Sequence, residues 1–316
     1  MDHKQAAALL RGQDDILILT HKRPDGDTLG CAAGLCQALR AIGKTAWLLP
    51  SKGATAAFRP YLEGLEAPED FSPRYVVSVD IASLGLLPDN ARPYAGRIDL
   101  SIDHHPSNEG FARENYVEAD KAACGEIVYK VVTELGPLTP EAALPLYVAV
   151  STDTGCFVYS NTTANTHRVA AALLEAGIPY QRVNKRHFRT KSLKRLTIEA
   201  ELLEGMHLYE EGTVAVAAVT LEMVERLQAA EEDLEDIAAF LGQIEGVRHA
   251  VTIRQLKNGT CKLSVRTAAD LNASAVCALL GGGGHTAAAG CTVEGAPARA
   301  EETIVAAIRQ VKRGQV

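Results

Sequence analysis

The chain has 316 residues, 47% of them hydrophobic and 22% charged, the make-up of a globular protein with room for two domains of roughly 100–200 residues each. Its net charge of −7 argues against a protein that lives on long nucleic acid, which calls for a basic face, but leaves a short anionic ligand in a local pocket open. No apolar run approaches the ~18 residues of a membrane span, Met1-Asp2-His3-Lys4-Gln5 lacks a signal-peptide core, and seven cysteines without a C-x-x-C pair read as reduced thiols; a cytoplasmic protein with no membrane partner is expected.

Residues 15–20 are short and apolar and predict a buried strand. The segment His21-Lys22-Arg23-Pro24-Asp25-Gly26-Asp27 that follows is a loop, because Pro24 and Gly26 punctuate it. Helical spacing of apolar residues predicts a helix over 28–42, closed by Gly43. Strands are predicted over 45–49, 74–80 and 98–102, the last running into Asp103-His104-His105, and helices over 122–135, 140–150 and 165–176. Strand alternating with helix predicts an α/β fold: a parallel sheet with helices on both faces and ligands at the carboxyl ends of its strands. Residues 182–208 turn helical, first basic and then acidic, and read as a connecting helix with solvated charges. A smaller mixed α/β unit follows. It has a strand over 213–220, a helical acid-rich segment over 221–244, and a hairpin (247–256 and 261–267) turned by Asn258-Gly259. Asn272 caps a short helix to Leu280, Gly281-Gly282-Gly283-Gly284-His285 comes next, and a strand (290–293) and helix (300–311) close the chain. The expected division is a first domain at 1–186, a connecting helix at 187–210 and a second domain at 211–316.

Asp103-His104-His105 offers a carboxylate and two imidazoles in successive residues. On an extended backbone Asp103 and His105 would share one side and His104 the other, so one strand end could serve a metal and a substrate. Asp25, Asp27, Asp80, Asp103 and Asp153 all fall in or beside turns after apolar segments. Each taken singly reads as a helix cap or turn former. Gathered together they would repel, by about 4 kcal/mol per close pair at an effective dielectric of about 20, so cations are expected among them, with His21 and His104 as co-ligands. Carboxylate and imidazole ligation without thiolate favours Mn²⁺, with Fe²⁺, Co²⁺ or Mg²⁺ as alternatives, over a structural zinc.

The glycine run would leave backbone amides open to phosphate oxygens, with His285 as an added donor and Arg266 as a second phosphate contact. A flexible connection and a surface arginine are the plainer alternatives. No Lys-Ser/Thr follows the glycines, so this is not a Walker loop. His3, His167, His187, His207 and His249 are expected on helices or strand surfaces without acidic partners, and the context of Ser151 offers no nucleophile elbow.

These residues spell a known pattern. His21-x-x-Pro24-Asp25-x-Asp27, the strand-terminal Asp80, Asp103-His104-His105 and Asp153 resemble the four motifs of the DHH phosphoesterase superfamily. Arg266, the glycine run with His285, and Ala287-Ala288-Ala289-Gly290 resemble the associated DHHA1 domain. The compact length is most similar to the branch of nanoRNases and pAp phosphatases. The resemblance implies two divalent cations, one held by His21, Asp25 and Asp80 and the other by Asp27, Asp80, His104 and Asp153, with Asp80 between them. It implies that Asp103 orients an imidazole and that His105 contacts the scissile phosphate. It implies too that Arg266, Gly282, Gly283, Gly284 and His285 grip the far phosphate or terminal nucleotide, in a cleft that suits a dinucleotide better than a polymer. The expected activity is metal-dependent hydrolysis of short oligoribonucleotides to mononucleotides and of 3′-phosphoadenosine 5′-phosphate (pAp) to AMP, with a homodimer as one expected state. The alternatives are a phosphodiesterase for cyclic or linear signalling dinucleotides and, in a different class, a non-catalytic nucleotide sensor. Thr28, Cys31 and the Ile81-Ala82 pair depart from the family pattern; they bear on substrate preference, since no ligand position is lost.

Overall fold

A computed structural model describes residues 1–234 and 237–314 and divides the chain into two units, Met1–Thr190 and Lys191–Val316. In the first, strands β1 (Ile16–Leu19), β2 (Ala46–Leu48), β3 (Tyr75–Val79), β4 (Leu100–Asp103) and β5 (Glu114–Val117) form a sheet in the order β2-β1-β3-β4-β5. All its neighbours are parallel. Every residue of β1, β3 and β4 is buried, which is why these strands read as unbroken apolar runs. The edge strand β5 buries only Tyr116 and has no apolar alternation to announce it.

Helices α1 (His3–Arg11), α2 (Gly26–Ala41), α3 (Cys124–Leu135), α4 (Pro140–Asp153) and α5 (Ala164–Glu175) follow in the same unit. Their apolar faces close over Ile16, Ile18, Val77, Val79, Leu100 and Ile102. The opposite face, with Leu17, Leu19 and Val76, is covered by the 3₁₀ turns at Leu84–Leu86 and Asp89–Tyr94 and by their flanking loops. Helix α1 was not anticipated; its start is set by a capping box between Asp2 and Gln5.

Two features place the site. The chain steps outward from β1 to β2 and then back across to β3, so the strand order reverses between β1 and β3, and a crevice opens at the carboxyl ends of these strands. Helices α2 and α4 also approach closely along Gly26, Gly30 and Gly34. A Cβ on Gly30 would lie 2.3 Å from the Pro145 carbonyl oxygen, and one on Gly26 2.2 Å from Thr152 Oγ1. This contact sets the start of α2, with Asp25 and Asp27, beside the end of α4, with Asp153.

The helix expected over 182–208 is two helices, α6 (Tyr180–Phe188) in the first unit and α7 (Leu193–Glu204) in the second. The break falls where Ser192 caps α7, its hydroxyl accepting from the Arg195 amide at 3.0 Å. The second unit is a mixed sheet of β6 (His207–Tyr209), β7 (Val214–Val219), β8 (His249–Gln255), β9 (Thr260–Thr267), β10 (Gly283–Gly284) and β11 (Ala288–Glu294), ordered β10-β11-β9-β8-β7-β6. Only the β7–β8 pair is parallel. Within the helical segment expected over 221–244, α8 (Leu221–Leu227) is the one α-helix described; 3₁₀ turns follow, and residues 235–236 lie outside the described residues. Helices α9 (Ala273–Ala278) and α10 (Pro297–Lys312) pack on one face of the sheet with Val251, Ile253, Leu263 and Val265. Ile198 and Leu202 of α7 pack on the other, against Ala215 and Ala217. No helix among the described residues is long and apolar enough to cross a membrane.

Candidate metal centre

The loops that leave β1, β3 and β4 end on the crevice. His21 stands just past β1, and Asp25 caps α2, its Oδ1 accepting from the amides of Asp27 and Thr28 at 3.1 Å each. Asp27, buried in the first turn of α2, is held from across the unit. Its Oδ2 accepts from the Cys124 amide at 2.7 Å and its Oδ1 from the Gly125 amide at 2.9 Å, while the Cys31 thiol donates to Oδ1 at 3.2 Å. The unpaired amides that begin α3 thus aim this carboxylate.

Asp80 follows β3 with φ +58°, a left-handed conformation that Asp tolerates better than most side chains. Its amide donates to the Ile102 carbonyl at 2.9 Å, which ties the residue down beside β4. The side chain is 3% exposed, and its Oδ1 has no hydrogen-bond partner. Around it stand three imidazoles: His21 Nε2 at 3.7 Å, His104 Nε2 at 3.4 Å and His105 Nδ1 at 3.5 Å. His21 Nε2 is also 3.6 Å from Asp25 Oδ1, and His104 Nε2 is 3.8 Å from both Asp27 Oδ2 and Asp153 Oδ2. Such separations are too long for good hydrogen bonds and suit atoms that share a cation. Three sets of donor atoms lie within 4.8 Å of one another: His21, Asp25 and Asp80; Asp27, His104 and Asp153; and Asp80, His104 and His105.

The residues fit a pair of divalent ions. A buried carboxylate oxygen without a donor is costly. Asp153, as the last residue of α4, adds a negative charge at the negative end of a helix dipole. Both are relieved by a cation in the crevice. His104 Nδ1 lies 3.1 Å from the Lys121 carbonyl; that oxygen only accepts, so Nδ1 keeps its proton and Nε2 is the nitrogen that, once deprotonated, turns a lone pair towards Asp27, Asp80 and Asp153.

Protons take the place of the ions in the bare site. Burial pulls the His21 imidazole down, but hydrogen bonds and charges from Asp25 and Asp80 outweigh it and hold it up at about 10. Burial opposes His104 likewise, and Asp80, Asp27 and Asp153 raise it to about 10. Burial and the charges of Asp80 and Asp25 push Asp153 up to about 6 against the pull of His104. Metal must therefore displace protons from both imidazoles at neutral pH, and from Asp153 as well below about 6. Divalent-ion affinity is expected to fall steeply with acid, with net proton release on binding, as read by calorimetry in buffers of different ionisation enthalpy. A carboxyl raised in the fold stabilises the bare protein as pH drops through its folded value. The metal-free protein is therefore expected to gain stability from Asp153 as the pH falls from neutral through about 6.

His104 and His105 do not face opposite ways. Strand β4 ends at Asp103, alternation stops there, and the two rings meet edge-on with centroids 4.5 Å apart, both beside Asp80. Asp103 donates no ligand atom. Its Oδ1 accepts from His105 Nδ1 at 2.7 Å and from the His104 amide at 2.8 Å, and its Oδ2 accepts from Asn108 Nδ2 at 2.6 Å. Burial raises this carboxyl, yet hydrogen bonds from His105 and Asn108 win and keep it low. The anion fixes His105 with Nε2 free, on a side chain 39% exposed. Replacing Asp103 with Asn is expected to cost about 10–100-fold in kcat/KM, the scale of an orienting partner, with thermal stability of the metal-loaded protein close to that of the parent.

Four contributors were not foreseen: the α3 amides, Asn108, and Lys22 and Arg23, which line the same cavity of about 370 Å³. Arg23 lies between two ligand residues in sequence, a signal that could have found it; the amides and Asn108 left none. Among the histidines expected to lack acidic partners, His207 Nδ1 lies 2.8 Å from Glu301, His249 Nε2 3.6 Å from Asp270 and His3 Nε2 3.7 Å from Glu134. No metal grouping among the described residues includes them.

In the second unit the glycine run is not an open nest. The Gly281 amide donates to the Ala278 carbonyl and that of Gly282 to Cys277, closing α9, and Gly283–Gly284 pair with β11. Close approach demands the small residues: a Cβ on Gly282 would lie 2.3 Å from the Gly290 carbonyl oxygen, and one on Gly284 2.6 Å from Ala289 Cα. Arg266 pairs with Ala288 in the sheet, and the Ala288 carbonyl accepts from the His285 amide at 2.8 Å, so Arg266 and His285 share one end of it.

Residues 15–150 match the DHH family N-terminal domain, and residues 211–313 match the DHHA1 domain. The bifunctional oligoribonuclease and PAP phosphatase NrnA of Thermus thermophilus is 32% identical over 308 residues, 96% of this chain and 92% of that protein. This chain belongs to the DHH phosphoesterase family. Its DHH unit carries the crevice and its DHHA1 unit the glycine run. The Bacillus subtilis protein named bifunctional oligoribonuclease and PAP phosphatase NrnA is 24% identical over 241 residues, covering 74% of this chain and 76% of that one. The cyclic-di-AMP phosphodiesterase GdpP of Geobacillus thermodenitrificans is 25% identical over 88% of this chain, which spans 44% of that protein. The fold is shared with an exopolyphosphatase-related protein from Bacteroides fragilis, at a TM-score of 0.85, 22% identity and coverage of 98% and 96%.

Proposed function

We propose that this DHH phosphoesterase hydrolyses short oligoribonucleotides to mononucleotides and pAp to AMP, with two divalent cations, manganese preferred, in the crevice of the first unit. The observation that carries this reading is the buried Asp80 carboxylate, its Oδ1 unpartnered beside His104 and His105 and its Oδ2 facing His21. His21 and Asp25 would hold one ion and Asp27, His104 and Asp153 the other, with Asp80 reaching both. When bound, such a pair polarises the phosphate and makes a water acidic enough to attack at neutral pH.

The chain's own groups do the rest. Asp103 keeps a proton on His105 Nδ1 and leaves Nε2 free to meet the scissile phosphate or the leaving oxygen. Arg23 stands on the cavity rim, available to a second phosphate. In the second unit we assign the far end of the substrate to Arg266, His285 and the exposed Gly283, with Gly282 and Gly284 shaping the backbone that presents them. The cavity volume of about 370 Å³ suits a small ligand, and the net charge of −7 disfavours long polymers. The relatives named NrnA support the substrate class. Free thiols throughout support a reducing, cytoplasmic setting.

A product time course with two- to ten-nucleotide RNAs, pAp and a cyclic dinucleotide side by side in Mn²⁺ tests the proposal. Mononucleotide release from the shortest RNAs, together with AMP from pAp, is expected. Turnover confined to the cyclic dinucleotide would replace it.

A further inference from the structure

A second cavity lies in the first unit, lined by none of the crevice residues, with a volume of about 410 Å³. Its apolar walls come from Leu144 of α4, Val183 of α6 and the ring of Tyr61, and Arg182, Lys185 and Arg186 stand around it. The wall is built firmly. Tyr61 Oη lies 3.0 Å from His187 Nε2, and the His187 ring stacks on Phe58 with centroids 4.9 Å apart. Val183 is buried against the core of the unit.

The cations are the unusual part. The whole protein is acidic, yet from Gly177 to Ile198 the chain carries no Asp or Glu and seven Lys or Arg. Further along the stretch, Lys191 and Arg195 are neutralised by Glu199. Arg182, Lys185 and Arg186 have no carboxylate partner among the described residues; the one hydrogen bond from any of their side chains runs from Arg186 Nη2 to the Ala56 carbonyl at 3.0 Å. On α6 these residues follow one another at i, i+3 and i+4, which sets their side chains on one helix face. Three uncompensated cations around an apolar, aromatic-walled cavity match a ligand that is anionic at one end and flat and apolar at the other.

We propose that this cavity is a second nucleotide site, taking a nucleoside monophosphate with its base against Tyr61, Leu144 and Val183 and its phosphate on Arg182, Lys185 and Arg186. The choice of a mononucleotide over other amphiphilic anions rests on the proposed hydrolysis, whose product it is. The size is right: sites for small molecules span about 300–1,000 Å³. A site of this kind, apart from the metal residues, lets the product bind without competing for the cations.

The test is equilibrium binding of AMP to the full chain in a chelator, where turnover is absent and no cation is left to draw a phosphate into the crevice. Saturable AMP binding is expected, weakened about tenfold or more by Arg182→Glu with Lys185→Glu, the scale of charged hydrogen bonds to phosphate. Adenosine and inorganic phosphate should each bind at least about tenfold more weakly than AMP, because each lacks one half of the ligand. Unchanged AMP affinity in the double variant, or phosphate binding as tightly as AMP, would overturn the proposal. So would a decaribonucleotide that binds where AMP does not, which would make this a face for longer RNA. If the charge reversals unfold the protein, Arg182→Ala with Lys185→Ala takes their place with the same expectation. AMP binding without any hydrolysis in Mn²⁺ would spare this site and sink the proposed reaction; hydrolysis without AMP binding would do the opposite.

Discussion

Replacing Asp80 with Asn is expected to remove hydrolysis of an RNA dinucleotide in Mn²⁺, by about three orders of magnitude or more, and to abolish the stabilisation that Mn²⁺ gives the parent. The two halves of that result come from one fact. Asp80 is buried, one of its oxygens has no donor, and it shares the crevice with Asp27 and Asp153. In the bare site the protonated imidazoles of His21 and His104 answer its charge. With cations present the same charge is what both proposed ion positions would depend on. Asn keeps the size, tolerates the φ of +58° better than Ala would, and removes the charge. The upward shift that Mn²⁺ produces in thermal melts of the parent should therefore shrink or vanish in the variant. Equal Mn²⁺ shifts in the two proteins would mean that the ions, if any, sit elsewhere.

The second large effect is expected at a residue with no chemistry of its own. Gly30→Ala should cost about 1–3 kcal/mol of stability, as overpacking does, and should lower activity more than its stability loss explains. The new methyl would meet the Pro145 carbonyl oxygen at 2.3 Å and the Ala149 amide nitrogen at 2.8 Å. Both are backbone atoms and cannot swing aside, so α2 and α4 must separate. Separation moves Asp25 and Asp27 away from Asp153, and a donor set spread over two helices no longer closes on one ion. Melting curves together with kcat/KM at increasing Mn²⁺ check this. Activity restored by excess Mn²⁺ would point to weakened ion binding, as expected; parental activity at all Mn²⁺ levels would mean that the helix contact does not set the site.

Much of this was legible in the chain. β1, β3 and β4 are buried on both faces and so read as plain apolar runs, and an Asp at or just past the end of each, with His beside it after β1 and β4, is enough to suggest where they converge. His21, Asp25, Asp27, Asp80, His104 and Asp153 converge because the carboxyl ends of parallel strands lie together. What escaped is non-local or conformational. The amide that grips Asp27 most closely belongs to Cys124, 97 residues away. The left-handed turn at Asp80 and the end of strand alternation after Asp103 have no sequence signature, and so His104 and His105 were set on opposite sides. Four consecutive glycines permit an amide nest; the structure instead uses two of their amides to end α9 and two of their missing side chains to let β11 approach.

Anomalous diffraction from crystals grown with Mn²⁺ bears on the core of the account without any assay. Two manganese peaks are predicted in the first unit, one bounded by His21, Asp25 and Asp80 and the other by Asp27, Asp80, His104 and Asp153. A crevice without manganese at saturating concentration, or a lone ion that Asp80 does not touch, would contradict it.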